Sequence, residues 1–340
     1  MTGERRALLN IGVIGTGSIG VDHIRRVSGS IAGARVAAVF DVDAERVRAV
    51  AHEADARALD DAVTLITDDD VDAVLVASPG PLHPEQVLAC LDVGKPVLCE
   101  KPLGTTVEGC LRVIEAEVSL GRRLVQVGFM RRYDHGYRRV KQVLDSGQVG
   151  DVLMVHAVHR NPEAPDGFTS DMSLTDSVVH EMDTMRWLLG EEISAVTVVH
   201  GRSSPLSAVG LQDPQLVLLE TVSGVLVDVE SFVNCQYGYD VGCEVVGSTG
   251  TVSLDTPTYG AVTGSGVRGR SVPADWQERF CDAYRAELQE WVDGIAVGDV
   301  TGPSAWDGYA ATAVAVAAVE SQSSLTRAEV KLADKPALYV

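Results

Sequence analysis

The sequence predicts an α/β protein in two parts: a Rossmann-type, doubly wound parallel sheet, then a C-terminal α/β domain built on a large, open, mostly antiparallel sheet. Three observations carry this expectation. Up to about residue 130, apolar strand-like runs alternate with amphipathic helical stretches, the rhythm of a parallel sheet with helices on both faces. The first strand-to-helix turn is the glycine-rich GTGSIG. Beyond about residue 150 the strands lengthen and are joined by hairpin-type turns such as Ser223-Gly224.

Taken in order, LNIGVIG reads as a buried strand and SIGVDHIRRVSG as the helix it feeds. ARVAAVFDVD is the second strand, with AERVRAVAHEA as its helix. VDAVLVASP is the third, followed by the helix HPEQVLACLDVG and the strand PVLCEKP. The helix VEGCLRVIEAEVSLG and the strand RLVQVGF complete this half. The second half offers the strands DVLMVHAVHR, ISAVTVVHGRS, PQLVLLETVSGVLVDVESFVN and DVGCEVVGSTGTVSLD. Only an opening helix in LTDSVVHEMDTMRWLLG and a helical region over about 276–323 interrupt them. The expected domains are 1–130, for nucleotide binding, and 131–340, for substrate binding and oligomerisation.

The 340 residues, 46% hydrophobic and 22% charged, have the makeup of a globular protein with sizeable cores. No stretch approaches the roughly 18 apolar residues of a membrane span. The arginines of MTGERRALLNIGVIG precede an apolar run that is short, broken by glycine and without a cleavage pattern, so a cytoplasmic protein is expected. Six scattered cysteines without a C-x-x-C pair imply reduced thiols. A net charge of −20 argues against nucleic acid and anionic membrane as partners. The one basic patch, Arg131, Arg132, Arg138 and Arg139, reads as a solvated helix.

Gly15, Gly17 and Gly20 have G-x-G-x-x-G spacing between a buried strand and a helix. Gly15 permits the tight turn, Gly17 lets backbone N–H groups approach a pyrophosphate, and Gly20 allows close helix–strand packing. Ser18 and Ile19 belong to the same loop. Asp41 ends the second strand, where a carboxylate accepts from both adenosine ribose hydroxyls and repels a 2′-phosphate. Val42 follows, where an NADP enzyme would benefit from arginine, and Arg46 and Arg48 are expected to face solvent. NAD is therefore the expected cofactor. Ser78, His83, Glu100 and Lys101 complete its candidate contacts. Lys101 lies in CEKPLG at the carboxyl end of a parallel strand, its backbone restricted by Pro102.

In LTDSVVHEMDTMRWLLG, Asp176, His180 and Asp183 stand at i, i+4 and i+7, one face of an α-helix. A metal site lacks H-E-x-x-H, and His156 and His159, three apart on a strand, face opposite sides, so no metal is expected. A solvated face conflicts with the apolar residues around the helix. Acid–base chemistry and a satisfied core histidine remain as readings of His180.

The segments GVIGTGSIG, CEKPLG, LVQVGFMRRYDHGY, HRNP, DSVVHEMD, VNCQYGYD and GPSAWDGY together resemble the Gfo/Idh/MocA oxidoreductases, and within them the inositol 2-dehydrogenase branch. The resemblance runs in order over nearly the whole chain. It implies NAD-dependent oxidation of a cyclic polyol, myo-inositol to 2-keto-myo-inositol, by a homotetramer. It matches Lys101, Asp176 and His180 to a catalytic trio, and Arg131, His159, Asn161, Asp183, Tyr239 and Trp276 to polyol-binding positions. ASPGPLH and the proline-rich NPEAPDGFTSD depart from the family pattern and bear on the choice of stereoisomer. The alternatives are a sibling dehydrogenase for scyllo-inositol or an aldose such as glucose or xylose, and a sensor that binds NAD without turnover.

Overall fold

The computed structural model describes residues 8–254, 262–269 and 271–340. The arginines near the amino end therefore lie outside the described residues. The chain forms two compact units.

The first unit holds a six-stranded, wholly parallel sheet in the order β3-β2-β1-β4-β5-β6. Its strands are β1 (Leu9–Ile14), β2 (Ala34–Phe40), β3 (Arg57–Ala58), β4 (Ala73–Val76), β5 (Val97–Glu100) and β6 (Val125–Gly128). The helices between them are α1 (Ser18–Ser30), α2 (Ala44–Ala54), α3 (Ala62–Thr67), α4 (His83–Asp92) and α5 (Val107–Leu120). β4, β5 and β6 are buried along their whole length, as expected of strands covered on both faces. The short β3 and α3 do not stand out in the apolar pattern. Asp61 caps α3 by accepting from the Thr64 amide, so the helix is set by its start and not by a stripe.

The second unit is built on a seven-stranded sheet in the order β12-β11-β7-β10-β9-β8-β15. These strands are β7 (Val152–Arg160), β8 (Ile193–His200), β9 (Gln215–Thr221), β10 (Leu226–Phe232), β11 (Asp240–Gly247), β12 (Thr251–Ser253) and β15 (Ala328–Glu329). Only β7 and β10 pair in parallel. A separate hairpin joins β13 (Val262–Gly264) to β14 (Val267–Gly269). Along β7 the side chains alternate: His156 is half exposed and His159 is 3% exposed on the opposite face. Helices α6 (His135–Asp145), α7 (Ser170–Met172), α8 (Val179–Leu189) and α9 (Trp276–Arg279) belong to this unit, and α10 (Cys281–Val297) and α11 (Ala305–Ser324) are each divided between the two units.

Two features depart from the sequence reading. The expected domain 131–340 is not continuous, because Tyr284–Thr312 and Ala333–Val340 belong to the first unit. Leu288, Trp291 and Val292 of α10 share a core with Ile11, Leu75 and Leu98, and that burial holds the returning segment. The opening helix is also not uniformly α-helical. Ser173–Val178 forms a π-helical turn that runs into α8, so Asp176 and His180 do not stand on one regular α-helical face.

Candidate functional site

In the first unit the glycine loop has the shape a dinucleotide needs. Gly15 has φ +97°, and a Cβ there would lie 2.4 Å from the Ala77 carbonyl oxygen. A Cβ on Gly20 would lie 2.1 Å from Gly15 O, so only glycine lets α1 approach the strand end this closely. Gly17 is different: nothing stands within 4 Å of an added Cβ, so the loop is open at this position. No side chain caps α1 at Gly17, which leaves the first amides available to phosphate oxygens. These residues fit a dinucleotide: the Gly15–Gly20 loop with Ser18 and Ile19 would hold the pyrophosphate, and Asp41 the ribose.

Asp41 lies just past β2 and is tied to that loop. Its Oδ2 accepts from Thr16 N at 2.6 Å and Thr16 Oγ1 at 3.0 Å, and its Oδ1 accepts from Asp43 N at 3.1 Å and Arg46 Nη2 at 2.8 Å. Burial pushes the Asp41 carboxyl up, but the two amides, the guanidinium and the hydroxyl outweigh it and hold it at about 2. Arg46 is thus not simply a solvent-facing residue, as expected from its spacing. The start of α2 brings it back over the carboxylate, while Val42 stays exposed.

At the far strand ends, His83 is buried with its ring nitrogens 2.8 Å from Pro102 O and 2.6 Å from Ser78 O, and burial pushes the imidazole below its ordinary value. Ser78 Oγ donates to Gln86 Oε1 at 2.6 Å. Glu100 is also buried. Its Oε1 lies 2.7 Å from His23 Nε2, and its Oε2 accepts from the Lys101 amide at 3.2 Å. A Cβ on Gly128 would stand 3.0 Å from this carboxylate, so glycine leaves it room. Sequence reasoning missed His23, whose place on the buried face of α1 was its only signal. The Lys101–Pro102 peptide is cis.

In the second unit a buried polar cluster forms around β7 and α8. Arg131 is 1% exposed and donates to Glu181 Oε1, with its guanidinium over the rings of Tyr137 and Phe280 at 5.9 and 5.8 Å. His159 Nδ1 lies 2.9 Å from Glu181 Oε2 and 3.2 Å from Arg131 Nη2. A carboxylate can only accept, so the 2.9 Å contact with Glu181 places a proton on Nδ1, and the donor-only Arg131 at 3.2 Å is then a neighbour of that nitrogen and not its hydrogen-bond partner. Burial pushes the Glu181 carboxyl up, but Arg131 and His159 outweigh it and hold it below the usual range. The His159 ring stands 6.3 Å from His180 and edge-on to Tyr239 at 5.9 Å. Asn161 follows β7, with its backbone bonded to Phe232 and Cys235 and its Oδ1 buried without a partner among the described residues. Trp276 opens α9, and Asp176 is partly buried in the π-helical turn.

Glu181 is a second buried partner that sequence reasoning missed, and it neutralises the charge of Arg131. Asp183, fully buried, takes a bidentate pair from Arg132, at 2.9 and 2.5 Å. Of the expected solvated arginine helix only Arg139 is exposed. Arg131 is inside, Arg132 is half-buried, and Arg138 lies over the Tyr133 ring at 5.0 Å while donating to Arg132 O.

The likenesses to known proteins agree with this geometry. The model of the Gfo/Idh/MocA oxidoreductase family's NAD-binding Rossmann fold matches residues 9–129, and that of its C-terminal α/β domain matches 141–332. The chain is 54% identical over 333 residues to inositol 2-dehydrogenase 1 of Saccharopolyspora erythraea, covering 97% of this chain and 99% of that one. Myo-inositol dehydrogenase from Lactobacillus casei, solved with NAD(H) and myo-inositol, superposes with a TM-score of 0.94 at 39% identity, covering 98% of this chain and all of that one (100%). The scyllo-inositol dehydrogenase of the same organism, solved with NAD(H) and scyllo-inositol, gives a TM-score of 0.88 at 26% identity, covering 95% and 99% of the two chains. With both family models matched in order, over most of its length, the chain belongs to the Gfo/Idh/MocA oxidoreductase family as an NAD-binding member.

Proposed function

We propose that this protein oxidises myo-inositol at its axial hydroxyl to 2-keto-myo-inositol. NAD, bound to the first unit, supplies the hydride acceptor. A C–H hydride leaves only as the alcohol loses its proton, so a base must reach that oxygen. His180 is the proposed base and takes the proton, Asp176 stabilises the resulting imidazolium, and Lys101 donates a hydrogen bond to the developing alkoxide. Tyr239, His159, Asn161, Asp183 and Trp276 are the proposed polyol contacts, and Arg131 serves them from behind.

The observation that carries a neutral polyol is the charge of the buried cluster. Arg131 and Arg132 are both committed to carboxylates, so neither cation is on offer to a phosphate or carboxylate substrate. What the cluster does offer is hydrogen bonding, including the buried acceptor Oδ1 of Asn161. Scyllo-inositol is the second reading, favoured by the likeness to a scyllo-inositol dehydrogenase. A kinetic panel of myo-inositol, scyllo-inositol, glucose, xylose and a sugar phosphate with NAD, products identified by NMR, tests both. The highest kcat/KM on myo-inositol is expected; turnover of the sugar phosphate alone would overturn the polyol reading.

A homotetramer of D2 type is part of the proposal. One face of the second sheet exposes the register partners Met154 and Leu226, with Leu216 and Leu218 on the next strand opposite Glu230 and Asp228, a mixed apolar and charged surface that supports an interface. Light scattering at micromolar concentration should give four times the chain mass, and a monomer would contradict it. The cytoplasm is the proposed location. Burial pushes the thiols of Cys90, Cys110 and Cys243 up to about 12, so they stay protonated and are poor nucleophiles. Among the described residues no helix is long and apolar enough to cross a membrane.

A further inference from the structure

The ribose end of the glycine loop carries an arginine for which the NAD preference leaves no role. Arg46 reaches back from the first turn of α2, donating from Nε to Thr16 Oγ1 at 3.1 Å and from Nη2 to Asp41 Oδ1 at 2.8 Å. Asp43 adds a second carboxylate, 3.7 Å from Nη1. Of the four donors on Asp41, two are backbone amides and one is the hydroxyl of Thr16, itself 1% exposed. Arg46, 44% exposed at its side chain, is the donor that solvent reaches and that can yield its place to a ribose hydroxyl. We infer that Arg46 is a latent ligand for a 2′-phosphate, held in check by Asp41, and that NADP is excluded by this carboxylate's charge and not for want of a cation.

The reasoning is electrostatic. A 2′-phosphate entering beside Asp41 would meet a carboxylate that is ionised throughout the working pH range, and like charges a few ångströms apart repel. The guanidinium alongside cannot compensate, because its charge is already shared between Asp41 and Asp43. Removing the charge of Asp41 while keeping its shape changes both conditions together. Repulsion falls, and Arg46 gains a free edge for the bidentate geometry that phosphate favours. Asp43, 47% exposed, is screened by water and counts for less. An arginine next to Asp41, at the position of Val42, is then unnecessary for a switch of cofactor.

The inference rests on the NAD-binding fold alone and stands apart from the identity of the polyol. It is tested by binding, without turnover. NADPH, NADH and adenosine 2′,5′-bisphosphate are titrated calorimetrically into the purified wild type, D41N, R46Q and D41N/R46Q, with D41S as a second charge-removing variant should D41N melt early. D41N or D41S should tighten NADPH and the bisphosphate at least tenfold, about 1.4 kcal/mol, and weaken NADH. D41N/R46Q should return NADPH to within about threefold of the wild type. A gain that survives the loss of Arg46, or no gain in either charge-removing variant, overturns the inference.

Discussion

Replacing Glu181 by glutamine removes one buried charge and tests two roles together. The carboxylate is 1% exposed and neutralises Arg131, itself 1% exposed. Breaking a buried pair by taking one partner away typically costs about 3–5 kcal/mol, because the other charge stays buried and uncompensated. Glutamine keeps hydrogen bonding to Arg131, so the lower end, about 3 kcal/mol, is expected. For a unit of this size that is a fall in Tm of roughly 6–12 °C, since each kcal/mol is worth about 2–4 °C. Calorimetry on the NAD-free protein reads this directly. The Arg131→Met, Glu181→Leu double variant removes both charges and should melt well above Glu181→Leu alone. The second role is positioning. An amide can face His159 with either end, so the proton is no longer fixed on Nδ1 and the ring is no longer held in one orientation toward the polyol. KM for the polyol should then rise about tenfold or more, with a smaller change in kcat, an asymmetry that mere loosening of the fold would not produce. A Glu181→Gln protein melting within 2 °C of the wild type with unchanged KM would refute the assigned charge pairing.

His180→Ala should lose about 10²–10⁴ in kcat, the usual worth of a general base, while NADH titration gives a nearly unchanged Kd; retained turnover would mean that another group takes the proton. Asp41 gives a pH-dependent contribution to stability. Its folded value of about 2 lies below the ordinary 3.8, so the contribution is complete above about pH 4 and lost as pH falls through 2. Because Arg46 is 44% exposed and its pairing screened, the amount is at most about 2 kcal/mol. The gap in Tm between wild type and D41N should therefore close on acidification from pH 5 to pH 2, and a gap that widens would reverse the sign assigned here.

The parallel sheet was legible because its signals are local. Strands buried on both faces read as continuous apolar runs, and G-x-G-x-x-G spacing with Asp41 after the next strand needs only about thirty residues of context. What escaped is what distance in sequence conceals. Glu181 meets Arg131 across 50 positions and His159 across 22. His23 meets Glu100 across 77, and α10 returns to a core begun at Ile11. None of these partners is marked by its neighbours in sequence. Glu181 was passed over for a more specific reason. The stripe Asp176, His180, Asp183 was built on an α-helical period, and on that period Glu181 falls on another face. The chain instead makes a π-helical turn through Ser173–Val178 before α8 begins, which shifts Asp176 relative to everything after it. His180, Glu181 and Asp183 share one α-helix, and each engages different partners: His180 faces the His159 ring, Glu181 holds Arg131 and His159, and Asp183 holds Arg132. Three polar roles within four residues of one buried helix require partners on several sides. Such a helix cannot display the single polar stripe that amphipathic reading looks for, and a histidine with carboxylates on several sides of one apolar helix is itself the signal to seek.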